Sequence, residues 1–295
     1  MAKILLTGGS GQIGRELISR MHELTLASDV IYFLRHVNKV PVEKIKDRKF
    51  RIISQVEQEK PYDLAIHLAA NLHTRYGNNK ENYPIFYRDN VALTERVCSS
   101  STRVLFTSSD YVFSGNGSMS SKETDPPRPS SNLYGLTKAE AEKIVLESEG
   151  SVIRLETMLG VNSNLILSNI YHALDGKDYW PFWDDCFVKP AFFEDFMSVM
   201  KKLVYIDRTG IYHVSCEGDP ISRAEMAIRV LDIHKKHGLK HKNSDIRFES
   251  CTTDFPKHLA LDTEITRSHL GVNFTNLAEA LETHVLKTRE KFKVS

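Results

Sequence analysis

Cysteine is scarce in this sequence, with four in 295 residues, at Cys98, Cys186, Cys216 and Cys251. None stands in a C-x-x-C pair, so a disulfide frame and a zinc site are both excluded. The four read as reduced thiols of a cytoplasmic protein, and no metal is expected. Long apolar runs are missing too: nothing approaches the roughly 18 to 20 residues of a membrane span. An excess of one charge is also absent, since 39 Lys and Arg face 38 Asp and Glu. No bulk field therefore points to nucleic acid or to a membrane surface. The chain does not open on a charged lead, a greasy run and a small-residue cleavage site, so no secretory leader is expected. The one basic run, His234–Lys242 (HKKHGLKHK), lacks an aromatic platform or a carboxylate partner and reads as a solvated loop after a helix. No internal repeat is visible.

What is present is the composition of a globular protein with a full core, 41% hydrophobic and 26% charged. Short apolar runs alternate with longer amphipathic ones. Strands are predicted at Lys3–Thr7, Val30–Leu34, Leu64–Leu68, Arg103–Thr107 and Ser151–Leu155. Helices are predicted at Gln12–His22, Ile85–Cys98 and Tyr134–Glu147. This β-α-β-α order predicts an α/β fold with a doubly wound parallel sheet of the Rossmann type and right-handed crossovers. After Leu155 the rhythm changes to aromatic-rich sequence (DYWPFWDDCF, 178–187). A helix near Glu194–Val204, a strand Gly210–Val214, a helix Ser222–His234 and a last helix near Leu277–Lys287 follow. The division expected is a cofactor-binding domain over 1–157, its sheet completed by part of 190–216. A smaller, interleaved C-terminal substrate-binding region would occupy 158–295.

The stretch TGGSGQIG, Thr7–Gly14, follows an apolar strand and opens a helix. That context turns a weak G-x-x-G-x-x-G spacing into a candidate dinucleotide loop. Gly8 suits the tight turn, Gly11 a close approach of phosphate, and Gly14 helix–strand packing. The helix start, with Gln12 and Ile13, would offer N–H groups and a partial positive charge to the pyrophosphate. An ordinary strand-to-helix turn is the plain alternative. At the end of the second strand a carboxylate would accept from an adenine-ribose hydroxyl. Arg35 stands there instead, followed by His36, which favours NADP(H) over NAD(H) through a charge-assisted contact to a 2′-phosphate.

The fourth strand runs into Ser108-Ser109-Asp110-Tyr111, and Tyr134-Gly-Leu-Thr-Lys138 lies on a helical segment. Tyr and Lys four apart share one helix face. A neighbouring ammonium is expected to draw the phenol pKa down, letting Tyr134 pass a proton to a carbonyl oxygen held by a serine hydroxyl.

Here the chain resembles the extended short-chain dehydrogenase/reductases. TGGSGQIG, HLAA (67–70), DNVALT (89–94), TSSDYVFSG (107–115) and YGLTK (134–138) carry the likeness. SSDYVFSG is most similar to the dTDP-4-dehydrorhamnose reductase branch, as are VIRLETMLG (152–160), PAFFEDF (190–196), GIYHVS (210–215) and LDTEITRSHLG (261–271). The resemblance spans nearly the whole chain. It implies Ser109, Tyr134 and Lys138 as catalytic positions. Gly8, Gly11 and Gly14 would lie on the pyrophosphate, Leu68, Ala69 and Ala70 along the nicotinamide side, and Tyr111 on the substrate. It also implies NADPH-dependent reduction of a nucleotide-linked keto-deoxysugar. Two departures touch the sugar pocket: Thr157 replaces a frequent tryptophan, and Asn71-Leu72 a frequent threonine. Trp180 and Trp183 could stack on a sugar or base, or simply pack locally.

Other chemistry on the scaffold stays open. The dehydratases resemble this family but carry Asp-Glu in the motif, and Tyr111 follows Asp110 here, which argues against dehydration. A nucleotide-sugar 4-epimerase is harder to exclude. The regulatory β-subunit of methionine adenosyltransferase resembles the same branch without catalysing, although the intact Ser109/Tyr134/Lys138 set argues against that role. The helices near 85–98 and 134–147 offer a face for pairing two subunits.

Overall fold

The structure is a computed structural model and describes residues 2–24, 29–34, 49–72, 79–130, 132–161, 165–242, 246–253 and 255–288. Arg35 and His36 lie outside the described residues. Seven strands form one parallel sheet: β1 Lys3–Thr7, β2 Asp29–Phe33, β3 Lys49–Ile53, β4 Leu64–His67, β5 Val104–Ser109, β6 Ser151–Leu155 and β7 Gly210–Val214. Their order is β7-β6-β5-β4-β1-β2-β3. The chain leaves β1 toward one edge and returns at β4 toward the other. The carboxyl ends of β1 and β4 therefore flank a switch point, where open α/β sheets bind ligands.

Alternation along the strands explains the three layers. Ile4 and Leu6 of β1 face one core, with Leu17, Phe193, Phe196 and Met200. Leu5 faces the other, with Leu93, Val97, Phe106, Ala141 and Val145. Helices α1 (Gln12–Ser19) and α6 (Phe193–Tyr205) cover the first face; α3 (Leu93–Ser99) and α4 (Leu133–Glu147) cover the second. Both faces being covered, the strands read as continuous apolar runs. A further core gathers α5 (Leu165–Leu174), α7 (Arg223–Lys236) and α8 (Leu277–Thr288) around Ile170, Phe182, Met226, Val230 and Leu281.

Several sequence expectations need correction. β3 was not anticipated. Its run, KFRII, mixes charge with apolar residues because it is the sheet edge, where Arg51 and Ile52 stay exposed. The first helix ends at Ser19, and a separate turn of helix covers Met21–Leu24. The stretch expected as one helix is divided: α2 (Tyr83–Phe86), a π-helical segment Tyr87–Ala92, then α3. The basic run is not all loop. α7 continues to Lys236, and His234 is buried beside Tyr171 and His241. All four cysteines are free and buried.

Candidate active site

The glycine loop is shaped by backbone contacts. Gly8 has φ +75°, and a Cβ there would lie 2.5 Å from the Ala69 nitrogen. A Cβ on Gly14 would lie 2.2 Å from the Gly8 carbonyl oxygen. The fold itself therefore requires both glycines. Gly11 differs: its φ is −75°, and its Cβ would meet only the Gly8 oxygen, at 3.2 Å. Gly11 starts α1 with no side-chain cap, and Gln12 and Ile13 form the first turn. A helix start without a cap, beneath a glycine with little steric need to be one, suits an anion brought close to backbone N–H groups.

The end of β4 meets this loop. Leu68 N–H donates to the Thr7 carbonyl at 3.3 Å, and Ala69 N–H donates to Thr7 Oγ1 at 3.2 Å. Leu68, Ala69 and Ala70 thus run alongside Gly8. Behind them a buried polar chain links sheet and helices. Thr7 Oγ1 lies 2.6 Å from His67 Nδ1, and His67 Nε2 lies 3.0 Å from Thr94 Oγ1. Thr94 Oγ1 donates to the Asn90 carbonyl, and Asn90 Nδ2 donates to Thr137 Oγ1 at 2.9 Å. Burial lowers the His67 pKa to about 3, so the ring is neutral and serves as a linker. Asn90 lies in the π-helical segment, whose wider turn interrupts the regular helical spacing.

Asn132 fixes the start of α4, its side chain accepting from the N–H groups of Tyr134 and Gly135. Gly135 is pressed to the Tyr111 carbonyl, where a Cβ would come within 2.2 Å. This contact brings α4 against the end of β5. The Tyr134 hydroxyl faces Ser109, and its ring lies 5.9 Å from that of Tyr111. Ser109 Oγ donates to Asp110 Oδ1 at 2.6 Å. Lys138 is buried, donates to the Thr107 carbonyl and sits 3.8 Å from the Phe106 ring centroid. The helix is held from behind: Arg154, fully buried on β6, makes a two-pronged contact with Glu142 at 2.9 and 2.8 Å.

Ser109, Tyr134 and Lys138 are thus gathered at the carboxyl edge of the sheet, the edge on which Gly8 and Ala69 also lie. One expectation is corrected. Burial holds the Tyr134 phenol above its ordinary pKa, and the facing Ser109 offsets this only in part. Lys138 does not draw it down, because its charge is turned to the Thr107 carbonyl. Burial lowers the Lys138 pKa to about 7, with Glu142 opposing.

On the substrate side, Tyr111 packs edge-on to Phe255 at 6.0 Å and is hydrogen-bonded to Arg223. The Arg223 guanidinium lies 4.2 Å from the Phe255 ring centroid and 5.1 Å from that of Trp183. Trp183 thus lines this wall while Trp180 stays half exposed. The Thr157 carbonyl accepts from Ala191 N–H at 3.0 Å, joining the ends of β6 and the 190s. Sequence reasoning missed Arg223, Phe255, Lys189 and Glu156. They come from four separate segments, and only the buried position of Glu156 after β6 could have drawn notice.

Residues 2–290 match the family described as RmlD substrate binding domain. The chain belongs to that family. A dTDP-4-dehydrorhamnose reductase of Aggregatibacter actinomycetemcomitans is 26% identical over 245 residues, covering 79% of each chain. Among solved structures, the dTDP-4-dehydrorhamnose reductase of Bacillus anthracis str. Ames in complex with NADP aligns with a TM-score of 0.75 and 20% identity. It covers 97% of this chain and 98% of its own. UDP-glucuronic acid 4-epimerase of Bacillus cereus in complex with NAD aligns at 0.79 and 17%, covering 99% and 100%. An epimerase and a reductase fit this RmlD-family chain about equally well, so the likeness carries the Rossmann-type fold and leaves the chemistry to the side chains. Among the described residues no helix is long and apolar enough to cross a membrane.

Proposed function

We propose that this RmlD-family protein is an NADPH-dependent reductase of a nucleotide-linked keto-deoxysugar. The observation that carries the reading is the gathering of Ser109, Tyr134 and Lys138 on the same carboxyl edge of the sheet as the glycine loop. The residues fit the cofactor. Gly8, Gly11, Gln12, Ile13 and Gly14 would hold the pyrophosphate, Leu68–Ala70 would flank the nicotinamide side, and Arg35 would meet the 2′-phosphate. The dinucleotide, when bound, supplies a hydride to the carbonyl carbon.

Ser109 holds the carbonyl oxygen by a hydrogen bond. Tyr134 donates the proton that the oxygen requires as the carbon is reduced, so one hydride and one proton complete the alcohol. A phenol held protonated by burial is suited to the donor direction. Lys138, buried on the inner face of α4, would position the donor and would contact the cofactor ribose. Tyr111, Thr157 and Ser109 would line the sugar.

The test is cofactor consumption. NADPH absorbance is followed with a panel of nucleotide 4-keto-sugars. A reductase consumes one NADPH per product, an epimerase recycles its cofactor, and a regulatory subunit turns over neither. Binding of NADPH and NADH measured alongside decides the preference expected from Arg35.

A further inference from the structure

Two acids meet at the candidate site, and the scheme above uses neither. β5 and β6 run parallel and end level, Ser109 opposite Leu155, so Asp110 and Glu156, the first residues after each strand, emerge next to each other and feel each other's charge. Both are almost fully buried, at 6% exposure each. Asp110 is tied to the site: Oδ1 accepts from the Ser109 hydroxyl at 2.6 Å and from Tyr111 N–H at 3.0 Å. One oxygen of Glu156, Oε2, accepts from Lys189 N–H. The other, Oε1, is buried with no hydrogen-bond partner.

A carboxylate with one bare buried oxygen is costly, and a second carboxylate beside it adds repulsion. Titratable and charged groups face the pair from several elements. Ser109 and Tyr111 come from the β5 end, Tyr134 from α4, Lys189 from the loop before α6, Arg223 from α7, and Cys216 from beyond β7. Lys189 and Arg223 favour ionisation; burial opposes it and prevails for both acids. Asp110 is pushed up to about 7, and Glu156 well above the carboxylate range, further raised by the Asp110 charge.

We propose that Asp110 and Glu156 hold a proton between them, and that through Asp110 it sets the direction of the Ser109 hydroxyl. With Asp110 ionised, Ser109 donates to it, as the structure shows, and its proton is not available to a substrate oxygen. With Asp110 protonated, the acid O–H donates to Ser109 Oγ and the serine proton turns outward. Glu156 is a positioning residue: by keeping a proton it spares Asp110 a second negative charge. The Ser109 half rests on the reductase reading; the shared proton does not.

The experiment measures thermal unfolding from pH 5 to 8.5 for the wild type, E156Q and D110N. Above the ordinary carboxylate range of about 4 the pair binds more protons in the folded protein than in the unfolded chain. The pair's own contribution to stability therefore falls as pH rises toward about 7, opposite to the slope from the buried neutral His67 and His213, so the difference between variant and wild type is what is read. Glu156→Gln keeps the shape and removes that loss, so its midpoint should match the wild type at pH 5 and exceed it by roughly 2–4 °C at pH 8. A midpoint below the wild type by the same amount at every pH would mean an ordinary ion-paired carboxylate and overturn the proposal. Should E156Q fail to fold, the infrared carbonyl band of a protonated carboxyl in the wild type at pH 7 decides. Its presence, and its loss on raising pH, supports the pair; its absence overturns it. For the Ser109 half, kcat/KM on a reducible sugar should fall above about pH 7 in the wild type, as Asp110 ionises, and not in D110N. Identical pH profiles would overturn that half. A protein that reduces no sugar would count against the reductase reading and leave the unfolding result standing.

Discussion

The Lys138 ammonium donates to the Thr107 carbonyl oxygen, one turn of α4 from Tyr134, and so binds helix to sheet inside the site. A cation buried there costs stability, and the cost depends on pH. The folded pKa is lowered to about 7 against 10.5 for the free side chain, so the folded protein holds fewer protons across that window. The Lys138 contribution to stability should therefore rise with pH from about 7 to about 10.5. Lys138→Met should unfold at a higher temperature than the wild type at pH 6, and the advantage should shrink by pH 10. The same variant should bind NADPH more weakly. Thermal scans at several pH values and a cofactor titration check both.

The three glycines of the loop should separate by variant. Gly14→Ala forces a Cβ toward the Gly8 carbonyl and should cost about 1–3 kcal/mol or more of stability. Gly11→Val meets no comparable obstacle and should fold. It should nonetheless lose most NADPH affinity, because the side chain would stand where phosphate approaches. Denaturant titration and cofactor binding, run on both, distinguish a fold-imposed glycine from a ligand-imposed one.

Glu142 and Arg154 anchor α4 to β6. Glu142→Ala would leave a guanidinium fully buried and unpaired, and should cost about 3–5 kcal/mol. The double variant Glu142→Met with Arg154→Met should recover much of that loss. Denaturant unfolding of single and double variants measures it.

Much of this was legible before any coordinates. β1, β6 and β7 lie within the expected bounds because a parallel strand covered on both faces must be an apolar run. The glycine loop was legible because its spacing reflects backbone contacts that only glycine permits, at Gly8 and Gly14. β3 was not, since its run KFRII leaves Arg51 and Ile52 exposed and so shows no continuous apolar pattern. The π-helical segment at Tyr87–Ala92, where Asn90 is buried, was hidden because one wide turn inside a helix has no residue signature of its own. The Tyr134 pKa was misjudged for a physical reason: spacing places Lys138 on the right helix face but does not say which acceptor its ammonium will take. Glu156, Lys189, Arg223 and Phe255 converge only through the fold. Arg35, the cofactor reader expected from sequence, lies outside the described residues. Its test remains chemical: Arg35→Asp should weaken NADPH and shift preference toward NADH in parallel binding titrations.

The most direct measurement is the single-turnover rate of NADPH oxidation on a nucleotide 4-keto-sugar by wild type and Tyr134→Phe. Phenylalanine keeps the ring and its packing against Tyr111 and removes the proton. The account predicts one NADPH consumed per sugar reduced, nearly unchanged NADPH affinity, and a chemical step slowed by about 10²–10⁴ in the variant. A folded Tyr134→Phe protein that reduces the same sugar at near wild-type rate would contradict it.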